Sequence, residues 1–307
     1  MDGPWQLGHK TAEEYGRLAA ETARAMRMLD PGLELIVCGS SSADMPTFGT
    51  WEETVLRQTI ELVDMVSTHA YFDPDSLDID SYLARAAGLD RQIQQVVAIA
   101  DRVAEEVGST KRLSVTVDEW NVWYMRRHQE RDHRGQWGEA LRLAEDDFTV
   151  VDSVVVGSLL MSLLRNTEGV GLACQAQLVN VIAPIRTEPG GPAWRQTIYQ
   201  PFALTAGHAT GNVLDSPVDA PRMPTERFGE VPMIDALVTH DSERLESSVF
   251  VIIRSTTDTG QLCLEVAEMV GYEVAQHIVI TDSDLLATNT ECDPSRVEAR
   301  PGTSKRD

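Results

Sequence analysis

Residues 89–123 read Leu-Asp-Arg-Gln-Ile-Gln-Gln-Val-Val-Ala-Ile-Ala-Asp-Arg-Val-Ala-Glu-Glu-Val-Gly-Ser-Thr-Lys-Arg-Leu-Ser-Val-Thr-Val-Asp-Glu-Trp-Asn-Val-Trp. Leu89, Ile93, Val96, Ala100, Val103 and Val107 fall on one helical face, and Gly108 is placed to stop the helix. A strand from Arg112 to Asp118 follows. The same alternation runs outward in both directions. Upstream, Thr11 and Glu14 form a capping box, after which Tyr15, Leu18, Ala19, Met26 and Leu29 recur at helical spacing. Pro31-Gly32 ends that helix, Leu33 to Cys38 reads as a buried strand, and a helix over 50–62 and a strand over 65–71 come next. Downstream, a strongly apolar helix covers about 147–164, and Leu172 to Val179 is a further strand. Strand and helix in repetition require right-handed crossovers and a parallel sheet covered by helices.

Near residue 206 the composition changes. Gly, Pro and Asp punctuate residues 207–224, and the helical period gives way to short strands over 234–240, 247–255, 261–267 and 272–280, with a hairpin turn expected at 258–260. The tail from Asp293 is polar and is expected to fray. The reading is therefore two domains, 1–205 in α/β and 206–307 in all-β form. A length of 307 residues allows two domains or one large α/β barrel.

The charge balance excludes several function classes. Asp plus Glu number 48 against 26 Lys plus Arg, a formal net charge of −22 that repels phosphate backbones and anionic membrane surfaces. The richest apolar stretch, near 154–164, is broken by Gly157, Ser158 and Ser162, so no membrane helix is expected. Four cysteines, Cys38, Cys174, Cys263 and Cys292, form no CxxC pair and read as reduced thiols of a cytoplasmic protein. Seven histidines show no ligand spacing, so neither a metal nor a cofactor is expected.

In parallel α/β folds the chemistry collects at the carboxyl ends of the strands. Those ends carry Gly39-Ser40-Ser41, His69-Ala70-Tyr71, Asp118-Glu119-Trp120-Asn121-Val122-Trp123, and Gln175, Gln177 and Asn180. A carboxylate followed by aromatics, with His, Tyr and Gln on neighbouring strand ends, suits sugar recognition, because aromatic faces pack on a sugar ring while amides and hydroxyls read its OH groups. Each residue also has a duller reading. Glu119 could be a solvated charge or helix cap, His69 a hydrogen-bonded core histidine, Tyr71 and Trp123 packing, and Gln177 a partner for backbone groups. No phosphate-cradling glycine loop and no Gly-x-Ser-x-Gly elbow is present.

Longer motifs carry a resemblance. Met1-Asp2-Gly3-Pro4-Trp5-Gln6, residues 118–124 (Asp-Glu-Trp-Asn-Val-Trp-Tyr), and residues 176–184 (Ala-Gln-Leu-Val-Asn-Val-Ile-Ala-Pro) are similar to the α-L-arabinofuranosidases of glycoside hydrolase family 51, as are His69-Ala70-Tyr71 and residues 40–47. Residues 282–289 extend the match into the β module. The resemblance implies a (β/α)8 barrel, of which this chain would hold roughly strands 5–8, followed by an incomplete, jelly-roll-like β-sandwich. It implies a retaining mechanism with Glu119 as nucleophile, Tyr71 hydrogen-bonded to it, and His69, Trp123 and Gln177 lining the arabinose pocket. Trp5 is a weaker pocket candidate, and Asp118 is assigned to architecture. In the family the acid/base glutamate precedes the Met-Asp-Gly-Pro-Trp motif, so it would stand just upstream of Met1 and the isolated chain would be inactive.

The expected partners are arabinose-containing oligo- and polysaccharides such as arabinoxylan and arabinan, with neither nucleic acid nor membrane. Relatives commonly form hexamers, so a homo-oligomer is also entertained. The rival readings are a non-catalytic gene fragment or sugar-binding remnant, and another retaining hydrolase of the same barrel clan acting on β-glucan or xylan.

Overall fold

The computed structural model describes residues 2–130, 137–139, 142, 144–257, 263 and 271–304. Its helices are α1 (Ala12–Leu29), α2 (Thr50–Thr59), α3 (Ile79–Leu83), α4 (Ala86–Val107), α5 (Met125–Glu130), α6 (Val150–Arg165) and α7 (Tyr199–His208). Its strands are β1 (Ile36–Val37), β2 (Met65–Phe72), β3 (Ser114–Val122), β4 (Val170–Gln175), β5 (Ile185–Thr187), β6 (Ala193–Arg195), β7 (Asn212–Leu214), β8 (Arg222–Thr225), β9 (Gly229–Pro232), β10 (Ile234–Asp241), β11 (Glu246–Ile253), β12 (Ile278–Val279) and β13 (Arg300–Pro301). The chain divides into two compact units. One comprises Met1–Ser76, Arg85–Arg131 and Leu159–Ala176; the other comprises Leu77–Ala84, Asp132–Ser158 and Gln177–Asp307.

The first unit is built on a parallel sheet ordered β1-β2-β3-β4. Local signals set its helices. Thr11 caps α1, its hydroxyl accepting from the Glu14 amide while the Glu14 carboxylate accepts from the Thr11 amide. Gly108 ends α4 in the left-handed region at φ 72°, which glycine adopts without the usual Cβ penalty. The core joins Val37, Val66 and Val115 of the sheet to Val55 and Leu56 of α2 and to Val96, Ala100 and Val103 of α4, all buried. Covering a parallel sheet with apolar helical faces removes both from water, the main driving force of the unit.

The second unit holds an antiparallel sheet ordered β11-β10-β7 and the separate pairs β5–β6, β8–β9 and β12–β13. Met223 and Val231 of the β8–β9 hairpin pack with Ala84, while Val150 packs with Ala287 and Val297. The mixed α/β character and the β-rich carboxyl-terminal part agree with the expectation from sequence.

Several expectations need correction. On α1 the buried residues are the small Gly16, Ala20 and Ala23, whereas Leu18, Met26 and Leu29 are exposed; close helix approach selects small side chains there. The strand foreseen over 33–38 shrinks to Ile36–Val37, that over 172–179 ends at Gln175, and that over 272–280 keeps only Ile278–Val279. Helix α7 had no expected counterpart. Cys174 is exposed on β4. Apart from Cys263, the strand expected over 261–267 and the turn over 258–260 lie outside the described residues.

Candidate functional site

The site is made by an irregularity in β3. Between the pairs Ser67↔Thr116 and His69↔Glu119, β2 advances two residues while β3 advances three. Against β4, β3 again advances three residues, from Val117 to Trp120, while its neighbour advances two. One extra residue is thus accommodated at Asp118–Glu119, a β-bulge that breaks the alternation of side chains between the two faces. Sequence reading ended this strand at Asp118; it continues to Val122, and Glu119 lies inside it.

The bulge brings Asp118 and Glu119 around one imidazole. His69 Nδ1 lies 3.4 Å from Glu119 Oε2, and His69 Nε2 lies 3.4 Å from Asp118 Oδ1. Asp118 Oδ1 is buried and makes no aligned hydrogen bond, so its contact with His69 is chiefly electrostatic. The Tyr71 hydroxyl donates to Glu119 Oε2 at 3.0 Å. Glu119 is the accessible member, with 49% of its side chain exposed against 17% for His69. Tyr71 and Trp123 meet edge to face with ring centroids 5.3 Å apart, and Trp123 lies 5.7 Å from the His128 ring. Four of the residues read from sequence, His69, Tyr71, Glu119 and Trp123, are therefore brought together.

Burial alone lowers the imidazole pKa of His69; the carboxylates of Asp118 and Glu119 reverse the balance and leave it above the ordinary value. For Tyr71, burial and then the negative charge of Glu119 push the phenol well above the usual tyrosine range. The hydroxyl keeps its proton and can donate it in a hydrogen bond to the carboxylate.

Gln177 is exposed and belongs to the second unit. Trp5 is 67% exposed, its ring lying over Gly3. Gln175 donates to Asn121 Oδ1 at 3.0 Å, and Asn180 is tied to Thr187 by paired hydrogen bonds. Two supporting residues escaped the sequence reading. Gln92 of α4 donates to Thr68 Oγ1 (2.7 Å) and to the His69 carbonyl (2.8 Å), fixing the strand beneath the imidazole. Its signal was a polar residue on the face shared by Leu89, Ile93 and Val96. Asp73, just past β2, is 4% exposed and accepts from the Arg126 amide at 3.1 Å. Among the described residues no group of three or more His, Cys, Asp or Glu side chains is placed to hold a metal ion, and no helix is long and apolar enough to cross a membrane.

The arrangement is thus a carboxylate at the carboxyl end of a parallel sheet, hydrogen-bonded by a tyrosine whose ring packs on a tryptophan. Residues 118–307 match the α-L-arabinofuranosidase C-terminal domain, and the chain belongs to the α-L-arabinofuranosidases of glycoside hydrolase family 51. It is 51% identical to an intracellular exo-α-(1→5)-L-arabinofuranosidase of Streptomyces lividans, over 100% of this chain and 46% of that protein. It is 43% identical to an exo-α-(1→6)-L-arabinofuranosidase of Bifidobacterium longum, over 99% and 60%. A solved family 51 α-L-arabinofuranosidase from Bifidobacterium longum superposes with a TM-score of 0.90 at 37% identity, covering 98% of this chain and 61% of that one. The chain spans about half the length of the curated relatives it matches.

Proposed function

We propose that these residues form part of a retaining, exo-acting α-L-arabinofuranosidase that releases terminal non-reducing α-L-arabinofuranosyl units from arabinan, arabinoxylan or their oligosaccharides. Glu119 is the nucleophile. Its carboxylate attacks the anomeric carbon as the C1–O bond breaks, giving a glycosyl-enzyme; the departing alcohol oxygen takes a proton from an acid, and water then cleaves the ester. The hydrogen bond from Tyr71 supports this reading, since it sets a donor on one carboxylate oxygen and orients the group. His69 and Trp123 line the sugar pocket, joined by Gln177 through the resemblance of its motif. The parallel sheet supports assigning 1–205 to part of a (β/α)8 barrel and 206–307 to the sandwich-like module. An intracellular location accords with the names of the relatives.

Double displacement needs a second carboxyl group as acid/base, about 5–5.5 Å from the nucleophile. The resemblance places it in a Gly-Asn-Glu stretch ahead of Met-Asp-Gly-Pro-Trp. These 307 residues alone are therefore expected to turn over natural arabinosides little, general acid catalysis contributing typically about 10²–10⁴-fold. A 2,4-dinitrophenyl α-L-arabinofuranoside bypasses that need, because its phenolate leaves unprotonated. Intact-mass analysis should show one arabinofuranosyl adduct, mapped by peptide fragmentation to Glu119 and lost in Glu119→Gln. An adduct on any other residue would refute the assignment.

A further inference from the structure

The strand ends that carry Tyr71 and Trp123 are joined beyond the sheet by a buried carboxylate. Asp73 is 4% exposed, and its two oxygens accept from two different segments: Oδ1 from the Asp75 amide at 3.0 Å, Oδ2 from the Arg126 amide at 3.1 Å. Its carbonyl accepts from the Ser76 hydroxyl at 2.7 Å. The turn thus shaped presents Asp75, which receives Arg127 in a two-pronged pair of 2.6 and 2.9 Å, while Arg126 Nη1 donates to the Asp75 carbonyl at 2.8 Å. The Trp123 amide donates to the Phe72 carbonyl at 3.0 Å, so the whole link spans 72–76 and 123–127. Between these anchored segments lie the Tyr71–Trp123 edge-to-face contact and the Trp123–His128 contact. A surface ion pair such as Asp75–Arg127 contributes little by itself, but a buried carboxylate bonded to two amides leaves both unpartnered when removed.

We infer that Asp73 is a positioning residue for sugar binding, locking the loop after β2 to the start of α5 so that the Trp123 ring is held against Tyr71 as the wall of the pocket. This rests on the sugar-binding role given to Trp123 above. Asp73 touches neither Glu119 nor the reacting bond; its effect passes through the placement of the ring.

The test follows the rate of adduct formation from the dinitrophenyl arabinofuranoside against its concentration, in the wild-type protein, Asp73→Ala, Trp123→Ala and the double variant. Asp73→Ala is expected to raise the half-saturating concentration about tenfold, with the limiting rate within about twofold, as displacing a contact group should. The double variant is expected to bind no more weakly than Trp123→Ala alone, because both substitutions remove one interaction. An unchanged half-saturation in Asp73→Ala, or additive losses in the double variant, would overturn the inference while leaving the role of Trp123 standing. No effect of Trp123→Ala would instead remove the sugar-binding reading, and the inference with it. If Asp73→Ala does not fold, Asp73→Asn carries the same test, because it keeps one acceptor oxygen and sets a donor against the other backbone amide, with about a two- to threefold rise expected and no rise counting against the inference.

Discussion

At the scale of single residues, Tyr71 and His69 act on Glu119 in different ways. The tyrosine donates a neutral hydrogen bond, its phenol kept protonated by burial and by the carboxylate it serves. A hydrogen bond to a charged group is worth roughly 1.5–3 kcal/mol. Tyr71→Phe is therefore expected to slow adduct formation roughly tenfold to a hundredfold, measured with the same aryl arabinoside. Histidine 69 sits between two carboxylates and is more easily protonated in the folded chain than in the unfolded one, where its pKa returns to about 6.5. The sign follows from linkage. Stability from the imidazolium is fully present below about pH 6.5 and is lost as pH rises through the higher folded value. Urea midpoints should fall over that window in the wild type more than in His69→Gln; equal pH dependence in the two proteins would contradict it.

At the scale of elements, the decisive approach is between β2 and the segment that follows β1. A Cβ added at Gly39 would lie 2.1 Å from the carbonyl oxygen of Ser67, a contact only a backbone shift can relieve. Gly39→Ala is expected to cost roughly 1–3 kcal/mol in denaturant unfolding, by overpacking, and a change within error would show that the strands can part freely. Element order and type were legible in the sequence where period and caps agreed. The Thr11–Glu14 box and the Gly108 stop delimited α1 and α4 because those signals are local. The inward face of α1 was misread because tight packing puts Gly16, Ala20 and Ala23 inside, and small residues leave no hydrophobic signature. His69, Tyr71, Glu119 and Trp123 were legible as polar and aromatic strand ends. The bulge was not: a one-residue register shift depends on both neighbouring strands, and no property of residues 117–120 alone announces it. Asp73 was missed for a related reason, since its partner lies 53 residues away.

At the scale of the whole molecule, a formal net charge of −22 makes self-repulsion a general term in stability. The ion pairs that Arg57 and Arg102 form with Glu53 and Glu106, across α2 and α4, lie on an exposed surface where salt weakens them. The two effects oppose each other, and with 48 acidic against 26 basic side chains the repulsion is expected to be the larger. The thermal midpoint is expected to rise as sodium chloride increases from about 0.01 to 0.15 M, where the screening length shortens from about 30 to 8 Å. A midpoint that falls over this range would show that local pairs outweigh the global repulsion.

The surplus residue in β3 makes length as consequential as identity between Val117 and Trp120. Deleting a single amino acid there would restore regular pleating and turn one of the two acids toward the opposite side of the sheet, leaving His69 with a single anionic neighbour. Loss of one codon in this stretch would therefore disturb the pairing of the acids with His69 even where the residue removed is not Glu119 itself.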